Sequence, residues 1–209
     1  MKGAELIGKN IKIIGDGFNP GLINEYFLKS NKLISNDIQI KSNSITTPQF
    51  VQLFTDHFVF MCLPDHFQYN FINDENSGKK FVIDFSKKFS VVNFRAIGIN
   101  FDYVVKDKKE LGRELFFKNE SSIFTEFDTE SAKFGGFLTK KYKNSILNLT
   151  VKPTTGIKPN GEREELLHFS FNFHTDLAGP SAIEVIKASV KNFDYFNSYA
   201  EKIMKKEEL

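Results

Sequence analysis

Four histidines are the residues best suited to chemistry near neutral pH, and their places in this 209-residue chain decide what that chemistry could be. His57 and His66 each follow an aspartate, as Asp56-His57 and Asp65-His66. A carboxylate beside an imidazole can orient it for base catalysis or metal ligation. Adjacent residues of a strand point to opposite faces, so both pairs read instead as turn chemistry at strand ends. A hydrolase built on Asp56, His57 or His66 would need two of these groups to converge within hydrogen-bond reach. His168 and His174 share one face of an alternating strand but stand six residues apart. In extended chain that is about 20 Å, which forbids one metal site made from both.

Zinc spacings such as C-x-x-C and H-E-x-x-H are absent, as are the G-x-S-x-G, kinase and deaminase signatures. The stretch IKIIGDGFNPGLINEYF, residues 11–27, imitates a dinucleotide-binding turn with Gly15 and Gly17, but Pro20 stands where the third glycine is required. Proline removes an N–H that a phosphate would use. Asp37 opens DIQI rather than closing a second strand, and no lysine followed by serine or threonine makes a P-loop. The segment reads as a strand-to-helix turn with its glycines at left-handed positions. Cys62 lies in FVFMCLP, where apolar neighbours would raise its thiol pKa and keep it a small buried hydrophobe. The acidic run Glu162, Glu164 and Glu165 around Arg163 reads as a solvated loop. No catalytic residue, metal or cofactor is expected, and the balance is against an enzyme.

The elements that must position any site follow from periodicity. Residues 22–33 have helical spacing, FVQLF and FVFMCL read as strands around Thr55-Asp56-His57, and FVIDFSKKF reads as a helix with a strand alternative. FVFMCL is apolar on both faces, as a central strand should be. VVNFRAIGINFDYVV, residues 91–105, is the longest β-rich run; its small face, with Ala96, Gly98, Asn100 and Asp102, is expected under a helix or another backbone. KDKKELGRELFF reads as a charged helix, residues 119–136 as an irregular or partly helical connector, and GFLTKKYK with SILNLTVKP as a hairpin around Lys143-Asn144. TTGIKPNGERE is a polar loop with a Pro-Asn-Gly turn. ELLHFSFNFHTDL alternates cleanly, with His168, Ser170, Asn172 and His174 on its polar face. A capping box, Ser181 with Glu184, opens one long helix to about Lys206. The expected fold is α+β, a mainly antiparallel sheet built from two similar strand-helix-strand-strand-helix halves, with helices on one face and a long C-terminal helix. It is read as a single domain over 1–209, with pseudo-repeat halves 1–90 and 91–209, although no residue-level repeat is convincing.

With 28 basic and 26 acidic side chains mixed along the chain, no strong field for nucleic acid or an anionic membrane exists. The 24 phenylalanines and the absence of tryptophan, with abundant Lys, Asn and Ile, reflect A/T-rich codons. One cysteine, no long apolar run and no leader-like N-terminus give the expectation of a cytoplasmic protein with no membrane contact.

VNFRAIGINFDYVV, LLHFSFNF and the closing IEVIKASVKNFDYFNSYAEKI resemble an uncharacterised, sporadically distributed family of bacterial accessory proteins. That family carries a central apolar-Gly-apolar strand, a late alternating strand and a closing helix. The chain departs from it in IKIIGDGF, which lacks the Pro- and Glu-containing strand, and in having no tryptophan. The resemblance implies a mobile bacterial gene of the kind found beside defence or toxin–antitoxin genes, and it transfers no functional residue.

The expected function is a non-catalytic interaction protein, a subunit or regulator of a bacterial assembly tied to phage defence or a toxin–antitoxin pair. Its partner would be another protein or a second copy of itself. The alternative is a small-ligand or nucleic-acid binding module on the polar face of the sheet. Candidate binding residues are His168, Ser170, Asn172 and His174 with Lys140, Lys141 and Lys143, and the loop 154–165.

Overall fold

The structure, a computed structural model, describes residues 3–106, 111–116, 133–177, 179 and 181–205. The first half runs β1 (Glu5–Asp16), a 3-10 turn (Pro20–Leu22), α1 (Glu25–Ser30), β2 (Ile45–Thr46), β3 (Val51–Phe54), β4 (Phe58–Leu63), β5 (His66–Phe71) and α2 (Glu75–Lys88). The second runs β6 (Asn93–Lys106), α3 (Leu111–Phe116), β7 (Gly136–Tyr142), β8 (Ser145–Ile157), β9 (Arg163–Asp176), α4 (Ala182–Lys191) and α5 (Phe193–Met204). The nine strands among the described residues all join one sheet in the order β2-β3-β4-β5-β1-β6-β9-β8-β7, antiparallel at every pairing. The expected α+β architecture is the one observed.

The order reads outward from a central seam. β5, β4 and β3 follow β1 on one side, and β9, β8 and β7 follow β6 on the other. A two-fold axis through the seam, where Asn10 pairs with Asn100, therefore exchanges the halves. The registers make the exchange residue by residue: Asn10 pairs with Asn70 as Asn100 pairs with Asn172, and Ile14 with His66 as Val104 with His168. The equivalent strands carry HFQYNF at 66–71 and HFSFNF at 168–173, identical at four of six positions. A residue-level repeat is thus present, in a strand that sequence reading passed over. β5 sits behind the tight Pro64-Asp65 turn, directly after an apolar run that absorbs attention.

The core lies on one face only. Phe58, Phe60, Phe67, Phe101, Phe171 and Phe173 are all buried on the sheet. Phe81 and Phe85 of α2 cross Phe60 with ring centroids 5.3 and 5.1 Å away, and Phe196 of α5 stacks on Phe173 at 4.3 Å. Such offset and edge contacts add to the burial of large rings. Leu28 of α1 is buried in the same cluster, and Leu111, Leu115 and Phe116 of α3 pack against it. The helices thus share one side, and among the described residues none covers the other.

Several local expectations need correcting. The C-terminal helix is present as two segments broken at Asn192, whose N–H turns back to Ser189 and Val190; the apolar stripe Ile186, Val190, Phe193, Phe196 and Ala200 continues through the break. Ser181 makes no side-chain capping bond. α2 begins inside the expected turn at 73–78, capped by Asp74, which accepts from the Ser77 N–H. α1 has only 6 residues. β8 and β9 extend into the expected loop and leave a turn at 158–162. β4 is apolar on both faces yet is third from the sheet edge. The small face of β6 is covered by no helix: an ideal Cβ at Gly98 would stand 2.7 Å from Asn172 Nδ2, so a neighbouring carboxamide fills the space. Much of the 119–136 connector lies outside the described residues. Gly17 is left-handed (φ 99°), but Gly15 is not and serves close approach to β6.

Candidate functional site

The uncovered face of the sheet collects the polar members of every alternating strand. One row crosses five adjacent strands with asparagine at each position: Asn70, Asn10, Asn100, Asn172 and Asn148. Strands lie about 4.8 Å apart, so this ladder spans about 19 Å. Asn172 donates to Asn100 Oδ1 at 2.6 Å, and Asn100 donates to Asn10 Oδ1 at 2.7 Å. Asn70 accepts from Gln68 at 2.7 Å and donates to the Val59 carbonyl at 3.1 Å. At the other end Thr139 donates to Asn148 Oδ1 at 2.8 Å. No described residue accepts from the Asn10 amide or donates to the Asn172 carbonyl, so the central trio ends in one open donor and one open acceptor.

The expected site residues divide between two faces. His168, Ser170, Asn172 and His174 do line the open face, as the registers of β9 with β6 and β8 require. His168 meets Asp102 Oδ1 at 2.9 Å through Nε2, and His174 meets Asp176 at 3.0 Å. Lys141 joins the same face in the row of Ile146 and His174. Lys140 does not: it bonds to the Tyr199 hydroxyl on the helix side, 4.8 Å from that ring's centroid. Lys143 occupies the left-handed hairpin position (φ 53°) and lies 3.1 Å over the Tyr195 ring. Strand alternation puts Lys140 and Lys141 on opposite sides, and the turn carries Lys143 over α5.

The expected acid–base groups are not gathered into one site, although the Asp65 carboxylate does meet the His66 ring, against the expectation from strand alternation. His57 precedes Phe58, which pairs with Phe71, whereas His66 pairs with Leu63 at the far end of the same hairpin. The two imidazoles are thus separated by about 17 Å of strand. Asp65 is bonded to His66 at 2.7 Å, which lowers its pKa, and Asp56 is lowered by Lys41 at 2.7 Å. No hydrogen bond joins Ser170 to His168. Burial pushes the Cys62 thiol up to about 12, as expected for an inert residue. Among the described residues no group of three or more His, Cys, Asp or Glu side chains is arranged to hold a metal.

Sequence reading missed the first-half members of the face, Asn10, Lys12, His66, Gln68 and Asn70. The signal that finds His66, Gln68 and Asn70 is the HFQYNF copy of HFSFNF, whereas Asn10 and Lys12 follow only from the register of β1. Other open-face pairs related by the axis differ: Gln68 with Ser170, Val59 with Asn148, Lys12 with Asp102 and Leu63 with Lys152. Asn10 with Asn100, Asn70 with Asn172, His66 with His168 and Gly8 with Gly98 are identical. No described helix is long and apolar enough to cross a membrane. No family model matches the chain, and neither a curated protein nor a solved structure was found to be similar to it.

Proposed function

We propose that the protein is a non-catalytic interaction module, a subunit or regulator of a bacterial assembly, that docks a protein partner on the open face of its sheet. The observation that carries this reading is the identity of asparagine and histidine at axis-related positions on that face, where their neighbours differ. The central trio of the ladder also ends in an open donor and an open acceptor that a partner's amide groups can take up. Charges in register on this face are balanced, with Lys12, Lys106, Lys141 and Lys152 against Glu5, Asp102, Glu164 and Asp176. A face of amides, hydroxyls and imidazoles without net charge favours a protein over a polyanion. The tie to phage defence or a toxin–antitoxin pair rests on the sequence resemblance from residue 91 onward, and a single buried thiol favours the cytoplasm.

The test is affinity purification from the native lysate with wild type and Asn172→Arg, each at low and high salt. A stoichiometric protein partner retained in high salt and lost with Asn172→Arg supports the reading. A partner indifferent to that substitution, or only nucleic acid released by salt, sinks it.

A further inference from the structure

A cavity of about 660 Å³ opens on the helix side of the sheet, opposite the face that carries the asparagine ladder. It lies between α1 with the loop that follows, the turn at His57, and the first turn of α2. Its size falls in the range of small-molecule sites, roughly 300–1,000 Å³. The floor is apolar: Leu33, Ile34, Phe58 and Phe81 are buried and show the cavity only edges. Tyr69 closes that floor. It is 3% exposed, and no described residue hydrogen-bonds its hydroxyl. Burial and the nearby Asp74 raise its pKa, so it stays a protonated donor.

The rim carries charges of both signs. Lys29 and Lys80 are committed to Glu25 and Asp84 at 2.7 and 3.1 Å. Among the described residues Lys32 forms no ion pair and the His57 ring has no hydrogen-bond partner. Asp37 and Asp74 form no ion pair with a described residue, although the His57 ring lies near enough to act on both and Lys29 acts on Asp37. Each is bonded to a hydroxyl, Ser35 and Ser77, which holds its carboxyl below the ordinary value and therefore ionised at neutral pH. Lys32 and Asp74 also hold left-handed backbone, with φ of 56° and 37°, so two of the three described non-glycine residues of this kind face one cavity. Conformations of that kind persist only where surrounding structure enforces them.

A simple anion entering here would face Asp37 and Asp74, and a simple amine would face Lys32. A solute that carries both charges satisfies both sides. We propose that this cavity binds a zwitterion of dipeptide size with an apolar side chain: its ammonium between Asp37 and Asp74, its carboxylate on Lys32, and its side chain over Leu33 and Ile34. The Tyr69 hydroxyl supplies a further donor at the base. The cavity is separate from the open sheet face, so this inference stands or falls independently of the docking reading.

Titration calorimetry on the full chain tests it with the dipeptide Leu-Phe and two blocked forms, N-acetyl-Leu-Phe and Leu-Phe amide. The expected result is millimolar or tighter binding of the free dipeptide, weakened about tenfold or more by either block, a loss near 1.4 kcal/mol. Lys32→Asn, which suits a left-handed position, should weaken the free dipeptide but leave N-terminal discrimination; Asp37→Asn should reduce discrimination against the acetylated form. Equal binding of free and blocked probes, preference for one blocked form, or no heat at millimolar concentration overturns the proposal. The comparison of probes on the wild type needs no variant to fold.

Discussion

Asn172 of β9 donates to Asn100 of β6 across the open face at 2.6 Å, and the same Asn100 passes its own donor on to Asn10 at 2.7 Å. The middle residue is therefore both acceptor and donor, and its neighbours depend on it. Because its partners belong to one strand of each half, the trio bridges the seam of the sheet.

Asn100→Leu should destabilise the protein by about 1–3 kcal/mol, since it strands an acceptor on Asn10 and a donor on Asn172. Urea unfolding should show a lower midpoint with an unchanged slope. An unchanged midpoint would mean that water replaces the ladder at no cost, leaving partner binding as the only use for these amides.

Gly98→Ala and Gly8→Ala occupy axis-related positions but should differ. The added carbon at Gly98 meets Asn172 Nδ2 at 2.7 Å and must displace the carboxamide, whereas at Gly8 the nearest atom is Asp102 Oδ2 at 3.6 Å. Gly98→Ala is expected to lose about 1–2 kcal/mol, much as loss of the hydrogen bond would, and Gly8→Ala to stay within about 0.5 kcal/mol. Equal thermal midpoints for the two variants would contradict the geometry.

Cys62 is fully buried, and its thiol is pushed up to about 12 by burial and then by Asp65. Thiolate is the reactive form. Ellman's reagent at pH 8 should therefore label the native protein only as fast as it unfolds, and label it at once in concentrated urea. Rapid labelling of folded protein would place the thiol at an accessible surface.

Phe193 opens α5 and is 0% exposed, with ring centroids 4.9 Å from Phe71 of the first half and 5.1 Å from Phe101 of the second. Phe193→Ala should cost about 3–5 kcal/mol, the range for a buried aromatic. Calorimetry should still give one transition if this ring couples two halves that unfold together. Two separated transitions in the variant would show halves of independent stability.

The alternation of Leu167 to Phe173 was legible because a half-buried strand writes its two faces directly into sequence. The two halves were legible as an order of elements. The ladder was not, since cross-strand register is a long-range property and five separate asparagines carry no local sign of alignment. Lys140, Lys141 and Lys143 looked like one basic cluster in sequence, yet one hairpin turn separates them by face. The first half looked shorter than the second only because β5 was passed over; its core-facing Phe67, Tyr69 and Phe71 match Phe169, Phe171 and Phe173. The cavity was invisible for a different reason. Its walls come from a loop, a turn and a helix start that periodicity does not describe.

The seam has a consequence for how the chain comes off the ribosome. β1 and its partner β5 both precede β6 in the chain, so a first-half sheet can pair before β6 emerges. Until then the 12-residue β1 is a bare edge in a nascent chain, the kind of surface that pairs with strangers. Lys9 and Lys12 sit along that edge, one toward each face, and charges there discourage intermolecular pairing. The long strand that later docks on it therefore acts as a built-in chaperone, relieving an exposure that lasts while α2 and β6 itself are translated.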